Sequence, residues 1–271
     1  MLSNVLGAAV RALLVMMLIA TPGLMLPPDA DMVQMTVLVS LFAGGLILVE
    51  YAAVYPGFIA FRDAAPFNRL RFVALFTTVF SLCAILQQLG AGDNSLGAVL
   101  VAVGRASALL FEAPFSPSTM MADALAPHVG LDTARAMSGW AMVWAFGCMA
   151  VFLTVLQVMR WPMAGGDLNL WVNLPLFYSA EGAEVVERLR HSAGVNFLLG
   201  GTIPFVVPFL VMEVAPALWF SKSGSEQMVV WLVTLWAVVP LACWMRGIAC
   251  LRIADGIATR QRDAGARCVA S

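Results

Sequence analysis

The chain predicts an all-α fold: a polytopic membrane helical bundle of six transmembrane helices plus a periplasmic amphipathic segment. Three observations predict it. The composition is 61% hydrophobic and 11% charged, against about 45–50% apolar and about 25% charged in soluble domains. The apolar residues come in runs of roughly 20, the length that crosses a hydrocarbon core of about 30 Å. The arginines gather in alternate loops, as the positive-inside rule requires of cytoplasmic segments. A soluble bundle would need charged outer faces, and these runs have none.

The first run, 5–26, ends at Pro27-Pro28. Its one positive charge, Arg11, lies deep in the segment, and no small-x-small site precedes Pro27. It therefore reads as an uncleaved anchor rather than a signal peptide. The second run, 32–54, carries Gly44-Gly45 at its centre and closes on Glu50, Tyr51 and Tyr55-Pro56, with proline and interfacial tyrosines marking the membrane edge. A third run covers 71–89. The fourth, fifth and sixth cover 136–159, 196–220 and 228–251, each bordered by Trp or Arg.

The segment 96–111 is apolar but short, with Arg105 at its middle, Glu112 after it and the breaker-rich 114–127 stretch beyond. Charge decides its status. If it does not span, the loops at 55–71 (Arg62, Arg69, Arg71) and 160–195 (Arg160, Arg188, Arg190) and the tail at 252–271 (Arg252, Arg260, Arg262, Arg267) share the cytoplasmic side. Only Arg105, Arg135 and Lys222 then face outward. If it spans, the later arginines move outside, against the rule. Six spans follow, with 91–134 expected as a periplasmic element: one amphipathic helix lying on or dipping into the outer leaflet, an irregular loop, and a short helical turn near Asp132. Residues 181–191 read as a separate short amphipathic helix with Glu184 and Arg188 at i,i+4 spacing. The whole reads as a single integral membrane domain, 1–271, with both termini cytoplasmic and no internal repeat.

Lys222 is the only lysine against fourteen arginines, a bias of GC-rich bacterial genomes that makes the bacterial inner membrane the expected location. The net charge of −1 and aromatics lying inside apolar runs argue against nucleic-acid binding. Five cysteines without a C-x-x-C pair indicate neither a disulfide framework nor a zinc site. His128 and His191 both fall in loops, so no paired helical histidines offer haem ligation, and no haem is expected. Nucleotide, hydrolase and metalloprotease motifs are absent from the sequence. The reading includes no cofactor, no metal and no catalytic residue.

Ionisable groups inside a membrane are costly, so each is a candidate site. Glu50, Arg246 and Arg11 lie at similar depth near the cytoplasmic ends of their helices. An ion pair from Glu50 to Arg246 or Arg11 is expected to hold helices together, the alternatives being snorkelling to headgroups or a polar substrate path. Glu213 lies on the fifth run among Pro204, Pro208 and Pro216. The choice there is between a kinked packing helix whose glutamate meets Arg105 or the interface, and an ion site in a proline-broken helix. The loop holding Arg62, Asp63, Asn68, Arg69 and Arg71 mixes aromatics, prolines and arginines that suit lipid phosphates or a partner protein. The 168–177 loop, with Trp171 and Asn173, is too apolar for free solvation and extends that surface.

The expected partners are the lipid bilayer and another membrane protein or complex. The expected function is non-enzymatic: an accessory, assembly or scaffold component of a membrane complex. The alternative is a small transporter or channel using Glu213; a lipid enzyme would need a cluster drawn from Asp63, Glu50, His191 and nearby arginines.

Overall fold

A computed structural model describes residues 2–27, 30–53, 59, 65–91, 95–161, 183–218 and 226–270. Among these residues the chain forms eight α-helices and no strand. They are α1 (Leu2–Met25), α2 (Ala30–Ala52), α3 (Ala65–Ala91), α4 (Ser95–Leu110), α5 (Pro117–Val129), α6 (Leu131–Val158), α7 (Ala183–Leu218) and α8 (Glu226–Ala270). Six of them, all but α4 and α5, are long and apolar enough to cross a membrane. This is the architecture of a multi-pass membrane protein, in which helices satisfy their own backbone groups where no water is present.

Polar side chains inside the bundle set the register of neighbouring helices. Trp140 Nε1 donates to Ser81 Oγ at 2.7 Å and Trp144 Nε1 to Thr77 Oγ1 at 3.1 Å, so α3 and α6 run antiparallel. A buried indole N–H needs such a partner. Gln87 Nε2 donates to the Met25 carbonyl at 2.5 Å, tying the end of α1 to the end of α3. The bundle thus has a Gln87 end and, opposite, an Arg71 end. Two cores stack between them. One gathers Leu82, Ile85, Met121, Leu125, Met137 and Trp236 toward the Gln87 end. The other gathers Phe67, Phe152, Leu156, Leu189 and Met245 toward the Arg71 end.

The helix expected at 96–111 is α4, and it packs on the bundle. A Cβ at Gly104 would come within 2.2 Å of the Ala136 carbonyl oxygen, and one at Gly139 within 2.3 Å of the Gly104 carbonyl oxygen. Backbones that close mean α4 packs lengthwise on α6 through small residues, the usual device of helices in lipid. The proline-rich stretch, expected as an irregular loop, is instead helical over Pro117–Val129, which corrects the sequence reading there. Pro117 stands in the first turn of α5 after Ser116, where a missing N–H costs nothing. Gly130, at φ 81°, joins α5 to α6, a conformation that suits a residue without Cβ. The intervening turn brings Phe111 against Phe146, ring centres 6.0 Å apart, near the middle of α6. Helices α4 and α5 therefore form a hairpin that enters at the Gln87 end and turns back halfway along the bundle. Met121 and Leu125 of α5 are fully buried.

Helices α7 and α8 outrun any bilayer. With 36 and 45 residues at about 1.5 Å each, they exceed a core of about 30 Å by a wide margin. Residues 183–191 are the first turns of α7 rather than a separate helix, and 252–270 continue α8. Arg190 pairs with Asp255 at 3.3 Å across this extension, and Arg188 with Glu184 along it.

Helix α7 also stays continuous through Pro204 and Pro208. Pro208 has no N–H to offer the Pro204 carbonyl, and the Trp236 indole of α8 donates to that carbonyl at 3.0 Å instead. The freed acceptor becomes an interhelical tie, so the helix continues where a proline break was one of the two readings.

Candidate functional site

Four helices bring polar groups to one level near the Arg71 end. On α1, Arg11 turns back along its own helix, Nη1 donating to the Gly7 carbonyl at 2.8 Å. Its guanidinium lies over the Tyr51 ring of α2, 4.7 Å from the centre, a cation–π contact. Met16 sits over Gly44, where a Cβ would meet its Cγ at 2.6 Å. That close approach fixes the α1–α2 register that places Arg11 on Tyr51.

Glu50 is buried at 5% exposure, and its Oε1 accepts the Ile59 N–H at 3.0 Å. A carboxylate held by a backbone donor carries part of its desolvation cost there. Among the ion pairs of the described residues, none joins Glu50 to Arg246 or Arg11. Ile59 supplies the donor to Glu50, and Arg11 is engaged by the Gly7 carbonyl and the Tyr51 ring.

Arg71 of α3 and Arg246 of α8 are both half-buried. The Arg71 guanidinium stands 5.5 Å from the centre of the Phe67 ring. It lies within electrostatic reach of Arg246, Cys243 and Tyr51, and Cys243 feels both arginines. Neither Arg71 nor Arg246 pairs with a carboxylate among the described residues, whereas Arg105, Arg135, Arg188 and Arg190 each do. The result is a level that carries three guanidinium groups, Arg71 and Arg246 half-buried and Arg11 exposed, together with the buried Glu50 carboxylate.

Of the loop candidates, Asn68 is half-buried and Arg69 exposed on the first turns of α3. Arg62, Asp63, Trp171 and Asn173 lie outside the described residues. Glu213 stands apart from this level. It is exposed on α7, and Arg105, its expected partner, instead forms an ion pair with Asp132.

Two concavities escaped the sequence reading. One is a polar cleft of about 180 Å³ between α4, α5 and α6, walled by Arg105, Glu112, Ser118, Asp132 and Arg135. Its charges answer one another, Arg105 with Asp132 and Arg135 with Glu112 at 3.8 Å. The other is an apolar groove of about 320 Å³ under the hairpin tip, lined by Phe146, Gly200, Pro204, Pro240 and Trp244. Gly200 makes room for the Trp244 indole, which a Cβ would meet at 1.8 Å. A doubled glycine near prolines was the available signal, but hydropathy alone does not say which helices share a groove.

Compared with family models, curated proteins and solved structures, the chain matches none.

Proposed function

We propose that the protein is a non-enzymatic accessory, assembly or scaffold component of a membrane complex, seated in the bacterial inner membrane with both termini cytoplasmic. The observation that carries the reading is α2. It is a spanning-length helix with only 6% of its apolar window buried, and its one extensive neighbour is α1. Leu41, Phe42 and Val49 project from it at 60%, 70% and 68% exposure. Gly45 meets nothing within 4 Å, which leaves the close approach that small residues give to a partner helix. The orientation is supported by charge: Arg69, Arg71, Arg160, Arg188, Arg190, Arg252, Arg260 and Arg262 all belong to the Arg71 end or its extension, which the positive-inside rule assigns to the cytoplasm.

Photo-crosslinking residues at Leu41 and Val49, with Leu198 on α7 as control, test the proposal in native membranes. The expected result is one discrete protein adduct from the α2 positions that co-purifies with the tagged chain in mild detergent. Lipid adducts alone, with the chain isolated by itself, would overturn it. The transport alternative has no such support, because α7 runs unbroken and Glu213 is exposed.

A further inference from the structure

We propose that the polar cleft between the arms of the α4–α5 hairpin binds a small water-soluble zwitterion of the amino-acid kind, its carboxylate on Arg135 and its ammonium on Glu112. The inference does not depend on the accessory reading. The cleft exists because both arms pack on α6 and scarcely on each other. Asp132, Arg135 and Ser138 of α6 form its floor, α4 supplies one wall and α5 the other. The turn between the arms closes the inner end, where the Thr119 hydroxyl reaches the Phe111 carbonyl. The four ionised side chains are about half exposed or more, and charges of that kind are too costly to face acyl chains. The cleft is therefore filled with water from the Gln87 end, and its ligand arrives from solution.

The plainer account is two exposed ion pairs, which commonly add little to stability. It suits Arg105, whose Nε and Nη2 both engage the Asp132 carboxylate. It does not suit the rest of the cleft. Arg135 Nη2 stands 3.8 Å from Glu112 Oε1, beyond hydrogen-bonding range. Beside this open pair lie two buried hydroxyls, Ser118 at 2% and Ser138 at 0% exposure. Ser118 Oγ donates to Ser138 Oγ at 3.4 Å, and Ser138 Oγ to the Arg135 carbonyl at 3.4 Å, where hydroxyl bonds ordinarily measure about 2.5–3.0 Å. Elsewhere the bundle binds its hydroxyls tightly: those of Thr21, Thr78, Ser107 and Thr154 donate to carbonyls at 2.7–2.8 Å. Buried polar groups are normally well partnered, so loosely held hydroxyls beside an open ion pair mark a place built for something else. A zwitterion completes the set. Its carboxylate takes the forked N–H groups of Arg135, the serine hydroxyls rotate to the same oxygens, and its ammonium meets Glu112. Two arginines balance two carboxylates in the cleft, which favours a ligand of both signs over one of net charge. Its volume of about 180 Å³ falls short of the roughly 300–1,000 Å³ of sites for larger ligands, so the ligand is small.

The experiment uses the full chain, purified in detergent. Thermal unfolding is followed with each of the common amino acids in turn, and with acetate, methylammonium and phosphatidylethanolamine for comparison; any amino acid that responds is then titrated by calorimetry. The expected result is a saturable rise of several degrees with at least one amino acid and little change with acetate or methylammonium, each of which carries half of the charge pattern. In Arg135→Gln and in Glu112→Gln the affinity for that amino acid falls at least about tenfold, whereas Arg190→Gln, on the α7 extension, leaves it unchanged. Should either cleft variant fail to fold, Arg135→Lys and Ser118→Ala carry the test, and each is expected to weaken binding severalfold. A chain that responds to no amino acid would overturn the proposal. Undiminished affinity in the cleft variants that fold would do the same. A response to acetate or methylammonium equal to that of the amino acid would overturn the zwitterion assignment. A response to phosphatidylethanolamine alone would overturn the soluble source and leave a zwitterionic headgroup as the ligand.

Discussion

Single side chains decide how closely these helices approach. Gly104 and Gly139 face each other across α4 and α6, and a methyl at either meets backbone, which has no flexible end to yield. Gly104→Val is expected to lower stability by about 1–3 kcal/mol or more, the cost of overpacking, read as a fall in detergent melting temperature. Gly147→Ala, at a position with nothing within 4 Å, is expected to leave that temperature unchanged or raise it slightly, since Ala is the better helix former. Trp236→Phe removes the indole N–H that reaches the Pro204 carbonyl and should cost about 1 kcal/mol. His128 gives a pH dependence. Burial holds its pKa below the usual 6.5, so the unfolded chain binds the proton more readily. The stability His128 contributes is therefore complete above about pH 6.5 and is lost as pH falls through that value. Melting temperature should drop between pH 7.5 and 5.5, and His128→Gln should remove part of the drop; an identical fall in both proteins would assign it elsewhere.

Elements were legible where a long apolar run fixed them, and misread where proline stood. All six long helices follow from runs of apolar residues bounded by Arg, Trp, Pro or Gly. Helix α5 was missed because Pro117 and Pro127 look like breakers in a list of residues. In the chain Pro117 occupies the first turn, where a helix loses nothing for want of a donor, and Pro127 stands in the last turn, where the Asp123 carbonyl loses its helical donor but the helix ends two residues later. Pro208 misled for another reason: its consequence is settled by Trp236, 28 residues away in sequence, and no local pattern contains that information. The α4–α5 hairpin can be tested as an element. Leu110 is 76% exposed and Leu131, at the Gln87 end, 44%. In intact membranes a membrane-impermeant maleimide should label Leu131→Cys and spare Leu110→Cys, which the hairpin carries to mid-depth. Rapid labelling of Leu110→Cys would place the tip at the surface.

At the scale of the molecule, the candidate site was legible in its members and not in its assembly. Arg11, Glu50, Arg71 and Arg246 stand out in the sequence as charges in or beside apolar runs. Their convergence depends on how each helix is rotated, and α2 and α3 are apolar on nearly every side, so no stripe announces a face. The rotation is set by pairs such as Met16 on Gly44 and Trp140 on Ser81. Orientation is testable by reporter fusions at the two ends of the chain: the expected outcome is cytoplasmic reporter activity from both, and opposite signals would require a seventh crossing.

The hairpin of α4 and α5 enters and leaves by the same end, so it contributes two helices and no change of side. Parity is therefore indifferent to it. A version of this chain that gained or lost the pair would keep every later segment facing as before, much as an even number of half-turns leaves an arrow pointing the same way. Yet Met121 and Leu125 sit at the centre of the packed interior. The unit is dispensable to the map of the chain and indispensable to its solidity, which makes it the segment through which such an architecture can diversify without turning inside out.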